Sequence, residues 1–274
     1  WRRSSTASQP VPEAAVTEDL ALAVRLAEEA GALLLSHWAA RDRLTVTRKR
    51  AGDFVSEADR AAEKHLRDGV AQAFPADGWL GEETGAAAGG VRRWIVDPLD
   101  GTTNFLHGIG HWAVSVALED AGVLSLGVVH DPLRGETFAA ARGRGATLNG
   151  APIAVSAAAG MEAALFGTGI PFGDMPHIDD HAGDIARLMP RCAGVRRLGA
   201  AALDLAYLAA GRLDGFWERR LQLWDIAAGL VLLREAGARL EGWTGDEPPE
   251  VSGTVIAATP ALFPEFAACL RGGS

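Results

Sequence analysis

The chain has 274 residues, 48% of them hydrophobic, and a formal net charge of −9. That length and apolar content supply one large core or two joined ones and exclude wholesale disorder. The acidic balance excludes a broad nucleic-acid or anionic-membrane face, and an acidic protein that handles an anion needs bound cations to screen its own carboxylates.

Cys192 and Cys269 are the only cysteines and form no CxxC pair. Neither a disulfide framework nor a structural zinc site is expected, and a cytoplasmic setting fits. No apolar run is long enough to span a membrane. Arg2-Arg3 has no apolar stretch behind it, so no secretory signal is expected, and Trp1 in place of an initiator leaves the native N-terminus open.

Residues 1–18, rich in Ser, Pro and Ala, read as a flexible tail. From Asp19 the spacing turns helical, with Leu22, Leu26 and Leu33 beside Val24, Ala27, Gly31 and Leu34. Ser56-Glu57-Ala58-Asp59 reads as a capping box with Asp in place of Glu. A second helix therefore begins at Ser56, places Asp59 in its first turn, and carries the stripe Ala62, Leu66, Val70, Phe74. The middle is strand-rich. Trp94-Ile95-Val96 reads as a short strand that stops at Asp97, and further strands are expected over 112–118, 127–130, 137–141 and 146–148, with Asn149-Gly150 as a tight turn. The later part alternates: helices over 178–188, 200–210 and 225–236, strands over 214–218 and 255–258. Thr259 then reads as the N-cap of a last helix with Pro260 at its first position. The change from hairpins to alternation divides an N-terminal α+β part, 19–154, from a C-terminal α/β part, 155–274.

Asp97 and Asp100 flank Pro98-Leu99 on a stiff turn. Two carboxylates held this way can share a divalent cation, and exposed N–H groups in the following Gly101-Thr102-Thr103-Asn104 suit a phosphate. Asp-Pro-x-Asp-Gly is equally ordinary turn chemistry. Asp59, Glu82 in Gly81-Glu82-Glu83, and Asp225 in Trp224-Asp225 each read alone as a cap or a helix-dipole partner. It is their combination with Asp97 and Asp100 that points to a metal site. His177 and His181, four apart, read as a polar helix start rather than zinc ligands, and His107 and His111 are given no chemistry. Trp94 and Trp224 are expected to brace the acidic segments.

Asp53-Phe54-Val55-Ser56-Glu57-Ala58-Asp59, Gly81-Glu82-Glu83, the run from Trp94 to Phe105 and Trp224-Asp225-Ile226-Ala227-Ala228-Gly229 resemble, in order and spacing, the signatures of the inositol monophosphatase family. The resemblance covers residues 20 to 260. It implies a layered α/β (α+β) sandwich of alternating helix and sheet layers, and two or three Mg²⁺ ions. One ion would be held by Glu82, Asp97 and the carbonyl of Leu99. A second would be held by Asp97, Asp100 and Asp225, and a third, weaker one would lean on Glu82. Gly101 and Thr102 would offer N–H groups to the phosphate, and Asp59 with the Thr102 hydroxyl would orient and deprotonate the attacking water. The physical demands agree. Mg²⁺ takes oxygen ligands, and phosphoryl transfer needs charge neutralisation and in-line positioning more than a covalent nucleophile.

The stretch that would meet the alcohol is Gly199-Ala200-Ala201 together with Glu218, and Ala200 lacks a hydroxyl found in relatives that hydrolyse inositol phosphate. A basic residue upstream of Asp53 is expected from Arg48, Lys49 or Arg50. The expected function is Mg²⁺-dependent hydrolysis of a small sugar or polyol phosphate, first myo-inositol 1-phosphate, by a lithium-sensitive, cytoplasmic homodimer without nucleic-acid or membrane partners. Histidinol phosphate, fructose 1,6-bisphosphate or a nucleotide 3′-phosphate are the alternative substrates, and a metal-binding regulatory protein without turnover is the alternative class.

Overall fold

The computed structural model describes residues 13–41, 46–50, 53–170 and 175–272. The first helix, α1 (Glu13–Ala39), begins ahead of the expected Asp19, because no Gly or Pro interrupts Val16-Thr17-Glu18. Of the expected tail, residues 1–12 lie outside the described residues. A hairpin follows, β1 (Val46–Arg50) against β2 (Asp53–Ser56). The side chains of Arg48, Lys49 and Arg50 lie outside the described residues. Then comes α2 (Glu57–Ala73), with Ser56 as N-cap and the capping box with Asp59 formed as expected.

The next strands are β3 (Gly78–Gly81), β4 (Gly85–Ala87) and β5 (Arg92–Asp100). After the single turn α3 (Thr102–Leu106) come β6 (Ala113–Asp120), β7 (Val123–Asp131), β8 (Glu136–Ala141), β9 (Ala146–Leu148) and β10 (Ala151–Ile153). These form an eight-stranded sheet in the order β10-β9-β8-β7-β6-β5-β3-β4, antiparallel except where β3 meets β5. The remainder is β11 (Leu165–Thr168), α4 (Ile178–Leu188), β12 (Gly194–Arg196), α5 (Ala201–Ala209), β13 (Gly215–Glu218), α6 (Leu223–Glu235), β14 (Arg239–Glu241), α7 (Pro249–Ser252), β15 (Val255–Ala258) and α8 (Phe263–Leu270). Its five strands form a second sheet, β12-β11-β13-β15-β14.

Strand alternation explains the layering. On β6, Val114, Val116 and Leu118 face α1 and α2, while Ala113 and Ala117 face α5 and α6. Both faces are covered, which is why residues 113–118 of this strand are apolar except for Ser115. On the second sheet Phe216 and Ala257 share the α5/α6 core, and Trp217, Ile256 and Ala258 pack with α8. The order is helix, sheet, helix, sheet, helix. Each fully buried Leu, Ile or Phe in these three cores contributes about 1.5–3 kcal/mol. The middle helix layer sits close: a Cβ on Gly127 of β7 would fall 2.5 Å from the carbonyl oxygen of Ala228 in α6.

Two further helix starts differ from expectation. α6 begins at Leu223, so Trp224-Asp225 lies inside the helix rather than ahead of it. α8 begins at Phe263 with Pro264 in its first turn. Thr259 instead closes the preceding turn, its hydroxyl accepting from the Leu262 N–H at 3.3 Å, because Pro260-Ala261-Leu262 forms that turn first.

Candidate active site

Strand β5 does not stop at Asp97. It continues to Asp100 through a bulge: Asp97 pairs with Ser115 and Asp100 with Ala113. Residues three apart on a regular strand face opposite ways. Here Pro98-Leu99 stands against the single residue Val114, and the extra residue returns both aspartates to one face. That face is the one covered by α5 and α6. The Leu99 N–H donates to Asp97 Oδ1 at 2.9 Å and fixes the bulge. Gly101 then turns the chain at φ 92°, a conformation that favours glycine, and α3 opens with Thr102.

The other acids arrive on helix starts. Asp59 is the third residue of α2, and its carboxylate accepts from the Ser56 N–H at 2.9 Å and from the Ser56 hydroxyl. Its second oxygen accepts from the Thr102 hydroxyl at 2.9 Å, joining positions 43 apart in sequence. The same hydroxyl lies 3.0 Å from the Leu99 carbonyl. Asp225 is the third residue of α6 and accepts from the Gln222 N–H at 2.7 Å. Asp100 accepts from the Ala202 N–H, at the start of α5, at 2.7 Å. Glu82 follows β3 in a turn that buried Glu63 of α2 holds by accepting from the N–H groups of Glu83 and Thr84, at 2.7 and 2.8 Å.

These residues border one cleft of ≈ 240 Å³. Glu82, Asp97, Leu99, Asp100, Gly101, Thr102 and Asp225 line it, as do Gly199, Ala200, Ala201 and Glu218, and Asp59 stands behind Thr102. Glu218 is buried, because Gly169 leaves it room: a Cβ there would fall 2.1 Å from its carboxylate.

Burial raises Asp59, Asp97, Asp100, Glu218 and Asp225, and repulsion from neighbouring carboxylates adds to all of these except Asp59. Asp97 lies well above its ordinary value, from burial first and then from Glu82, Asp100 and Asp225. Asp100 is pushed up to about 7 by burial, against the Ala202 N–H and with Asp204 adding repulsion. Asp225 keeps some surface open to the cleft, yet the protein around its carboxyl desolvates it, and Asp100 adds repulsion. Glu218 rises well above its usual range through burial, then Asp225, Asp204 and Asp100. Asp59 is raised by burial, with Ser56 and Thr102 opposing. Among the described residues no three His, Cys, Asp or Glu side chains already clasp a single point. The carboxylates that border the cleft repel one another, and a multivalent cation would let them ionise together. An all-oxygen donor set fits a hard ion such as Mg²⁺.

The cleft also contains groups that the sequence reading passed over. Asp204 lines it and bonds His111 at 2.9 Å, with both side chains buried. A lone acid in the apolar run Leu203-Asp204-Leu205 was the available signal. Asn104 donates to the carbonyls of His111 and Leu198, both at 2.8 Å, and so ties the β5 turn to the Gly199 turn. Arg197 and Arg220 also line the cleft. Trp94 is buried, stacked on Phe74 and bonded to Asp77 at 2.9 Å, while Trp224 lines the cleft directly. His181 is buried on α4, while His177 is exposed beside Asp180, consistent with a polar helix start.

Comparison with known proteins places this geometry. The sequence pattern of the Inositol monophosphatase family matches residues 15–272. A protein of Pseudomonas aeruginosa named Nus factor SuhB is 44% identical over 250 residues, 89% of this chain and 92% of its own length. An inositol-1-monophosphatase of Rhizobium meliloti is 47% identical over 220 residues, 80% of this chain and 81% of its own. Among solved structures, the extragenic suppressor protein suhB of Bartonella henselae superposes with a TM-score of 0.91 at 40% identity, covering 94% of this chain and 100% of that one. An IMPase of Thermotoga maritima gives 0.85 at 36% identity, over 93% and 97%.

Proposed function

The chain belongs to the inositol monophosphatase family, and on that footing we propose that it is a Mg²⁺-dependent phosphomonoesterase of a small sugar or polyol phosphate, with myo-inositol 1-phosphate the first substrate to test. The observation that carries this reading is the Thr102–Asp59 hydrogen bond, made beside a cleft lined by Glu82, Asp97, Asp100 and Asp225. A hydroxyl held by a buried carboxylate is a means of orienting and deprotonating a water. In this reading Glu82, Asp97, the Leu99 carbonyl, Asp100 and Asp225 hold two Mg²⁺ ions, with a third near Glu82. When bound, the ions neutralise phosphoryl charge and acidify water. Gly101 and Thr102 direct N–H groups at the phosphate. Gly199, Ala200, Ala201 and Glu218 face the alcohol.

Phosphate release with and without Mg²⁺, for the wild type and Asp97→Asn, tests the proposal. Release that needs Mg²⁺ and is lost in the variant supports it; no release from any phosphate ester in a broad panel overturns it. The relatives named Nus factors carry a second reading, a binding protein that works without turnover. The same assay separates the two.

A further inference from the structure

Among the described residues three that are not glycine hold a left-handed backbone: Ala121 and Asn149 at φ 49° and Arg220 at φ 59°. The first two are explained by their turns. Ala121-Gly122 joins β6 to β7 and Asn149-Gly150 joins β9 to β10, both as two-residue loops with both φ angles positive, as such hairpins require. Arg220 has no hairpin to serve. It lies between β13 and α6, and it borders the cleft.

The strain at Arg220 is held from both sides. Arg219 donates to both carboxylate oxygens of buried Asp184, at 2.8 and 2.7 Å, and its guanidinium lies 3.3 Å from the centroid of the Trp243 ring. The Leu221 N–H donates to the Gly253 carbonyl at 2.8 Å. With both neighbours pinned, the chain passes residue 220 only in this conformation. A glycine would adopt it freely, yet the position holds an arginine at the cleft.

A second arginine stands with it. Arg197 lines the same cleft, donating to the Ile170 carbonyl at 3.3 Å. Arg197 sits just before the Gly199 turn, and Arg220 just after Glu218, so the two flank the segments that face the alcohol in the reading above. Between them Gly199, Ala200 and Ala201 supply no side-chain hydrogen bond. Arg197 stands close enough to Asp204 and Glu218 to favour their ionised forms, and with Arg220 it brings two guanidinium groups among the carboxylates of the cleft. A neutral polyol can accept hydrogen bonds from them but leaves their charge unmatched. A group with two or more anionic oxygens matches a guanidinium's paired donors.

We propose that Arg197 and Arg220 form a second anion subsite, and that the substrate is a small phosphate ester carrying a further phosphate or carboxylate. This rests on the phosphatase reading above. Two substrate pairs test it, each with the same scissile ester: fructose 1,6-bisphosphate against fructose 1-phosphate, and 2-phosphoglycerate against glycerol 2-phosphate. The wild type should favour the doubly anionic member of at least one pair by about tenfold or more in kcat/KM, and the pair that responds identifies the second group. R220G, which removes the guanidinium and relieves the backbone, should cut that ratio by about tenfold, mainly through KM, and R220K should keep part of it. A ratio near one in both pairs for the wild type, or a ratio that R220G does not change, overturns the subsite while leaving the phosphatase reading intact. If no ester is hydrolysed, the phosphatase reading fails. The subsite is then read by thermal stabilisation in Mg²⁺, where a larger shift with fructose 1,6-bisphosphate than with fructose 1-phosphate, lost in R220G, supports it and equal shifts overturn it.

Discussion

Replacing Thr102 by Val tests the hydrogen bond on which the functional reading stands. Val keeps the side-chain shape but removes the hydroxyl, so Asp59 Oδ1 loses the donor now 2.9 Å away. Asp59 is fully buried. A buried acceptor left unpaired costs about 1–3 kcal/mol. At about 2–4 °C per kcal/mol in chains of a few hundred residues, melting should fall by several degrees. The sign with pH follows from the carboxyl. Asp59 is raised in the folded state, by burial first, and Thr102 is one of the groups holding it down. The variant raises it further. The ionised form then destabilises the fold more, so the loss is largest at neutral pH and disappears as pH falls through the raised value that Asp59 has in the folded wild type. Phosphate release should drop by about 100-fold or more, the size of a positioned proton-transfer group. Melting curves in chelator at neutral and acid pH, with initial rates in Mg²⁺, measure both effects, and Thr102→Ser should retain most of each. A Val variant with wild-type turnover and an unchanged melt would show that the Asp59–Thr102 pair neither holds the turn nor serves the water.

Asp97→Asn should abolish Mg²⁺-stimulated release by at least about a hundredfold, the upper end of what even outer-sphere changes cost at metal sites. Because Glu82, Asp100 and Asp225 repel Asp97, the same variant should melt higher than wild type in chelator at neutral pH, and gain less from Mg²⁺. Asp100 is pushed up to about 7, so below that pH a proton competes with the cation. Calorimetry should show Mg²⁺ affinity falling as pH drops through neutrality, with proton release on binding. Gly127→Ala would set a Cβ 2.5 Å from the Ala228 carbonyl. It should cost about 1–3 kcal/mol by overpacking, read as a lower melting temperature.

Most of the elements were legible from period-two and helical spacing, since most expected strands and helices fall within a few residues of their observed ends, while the layering came from the family resemblance. The errors share a physical origin. The strand through Trp94 was cut at Asp97 because Pro98 ends a regular ladder, yet a bulge carries the pairing to Asp100. The α6 start was misread because Asp225 caps from within the first turn, with Gln222 at the boundary. β12 and β14, each three residues long, are too short to show a period. Around the cleft, acids in recognisable runs were found, whereas Asp204, Glu63, Arg197, Arg220 and the tie made by the Asn104 side chain were not. Their contacts join segments 20 to more than 90 residues apart, as in Glu63 to Glu83 and His111 to Asp204, and local spacing does not encode such pairs.

Asp59 and Asp225 each read locally as helix-start residues, and in the fold each one is, while Asp100, read as part of a turn, ends β5 and meets a helix start across the cleft. Asp59 closes the start of α2, Asp100 accepts from the start of α5, and Asp225 closes the start of α6. Three helices from two layers therefore begin at one cleft, and each offers its positive end to a carboxylate. Such an interaction contributes about 0.3–1 kcal/mol near the surface, too little to offset burial beside like charges. Its effect is positional: it fixes each carboxylate by a backbone N–H before any cation arrives. Asp97, whose carboxylate accepts from the Leu99 N–H of its own turn, depends on the others for its neighbours and on a cation for its charge. The cap reading and the ligand reading are thus one arrangement, and what separates them is whether a divalent ion draws Glu82, Asp97, Asp100 and Asp225 together.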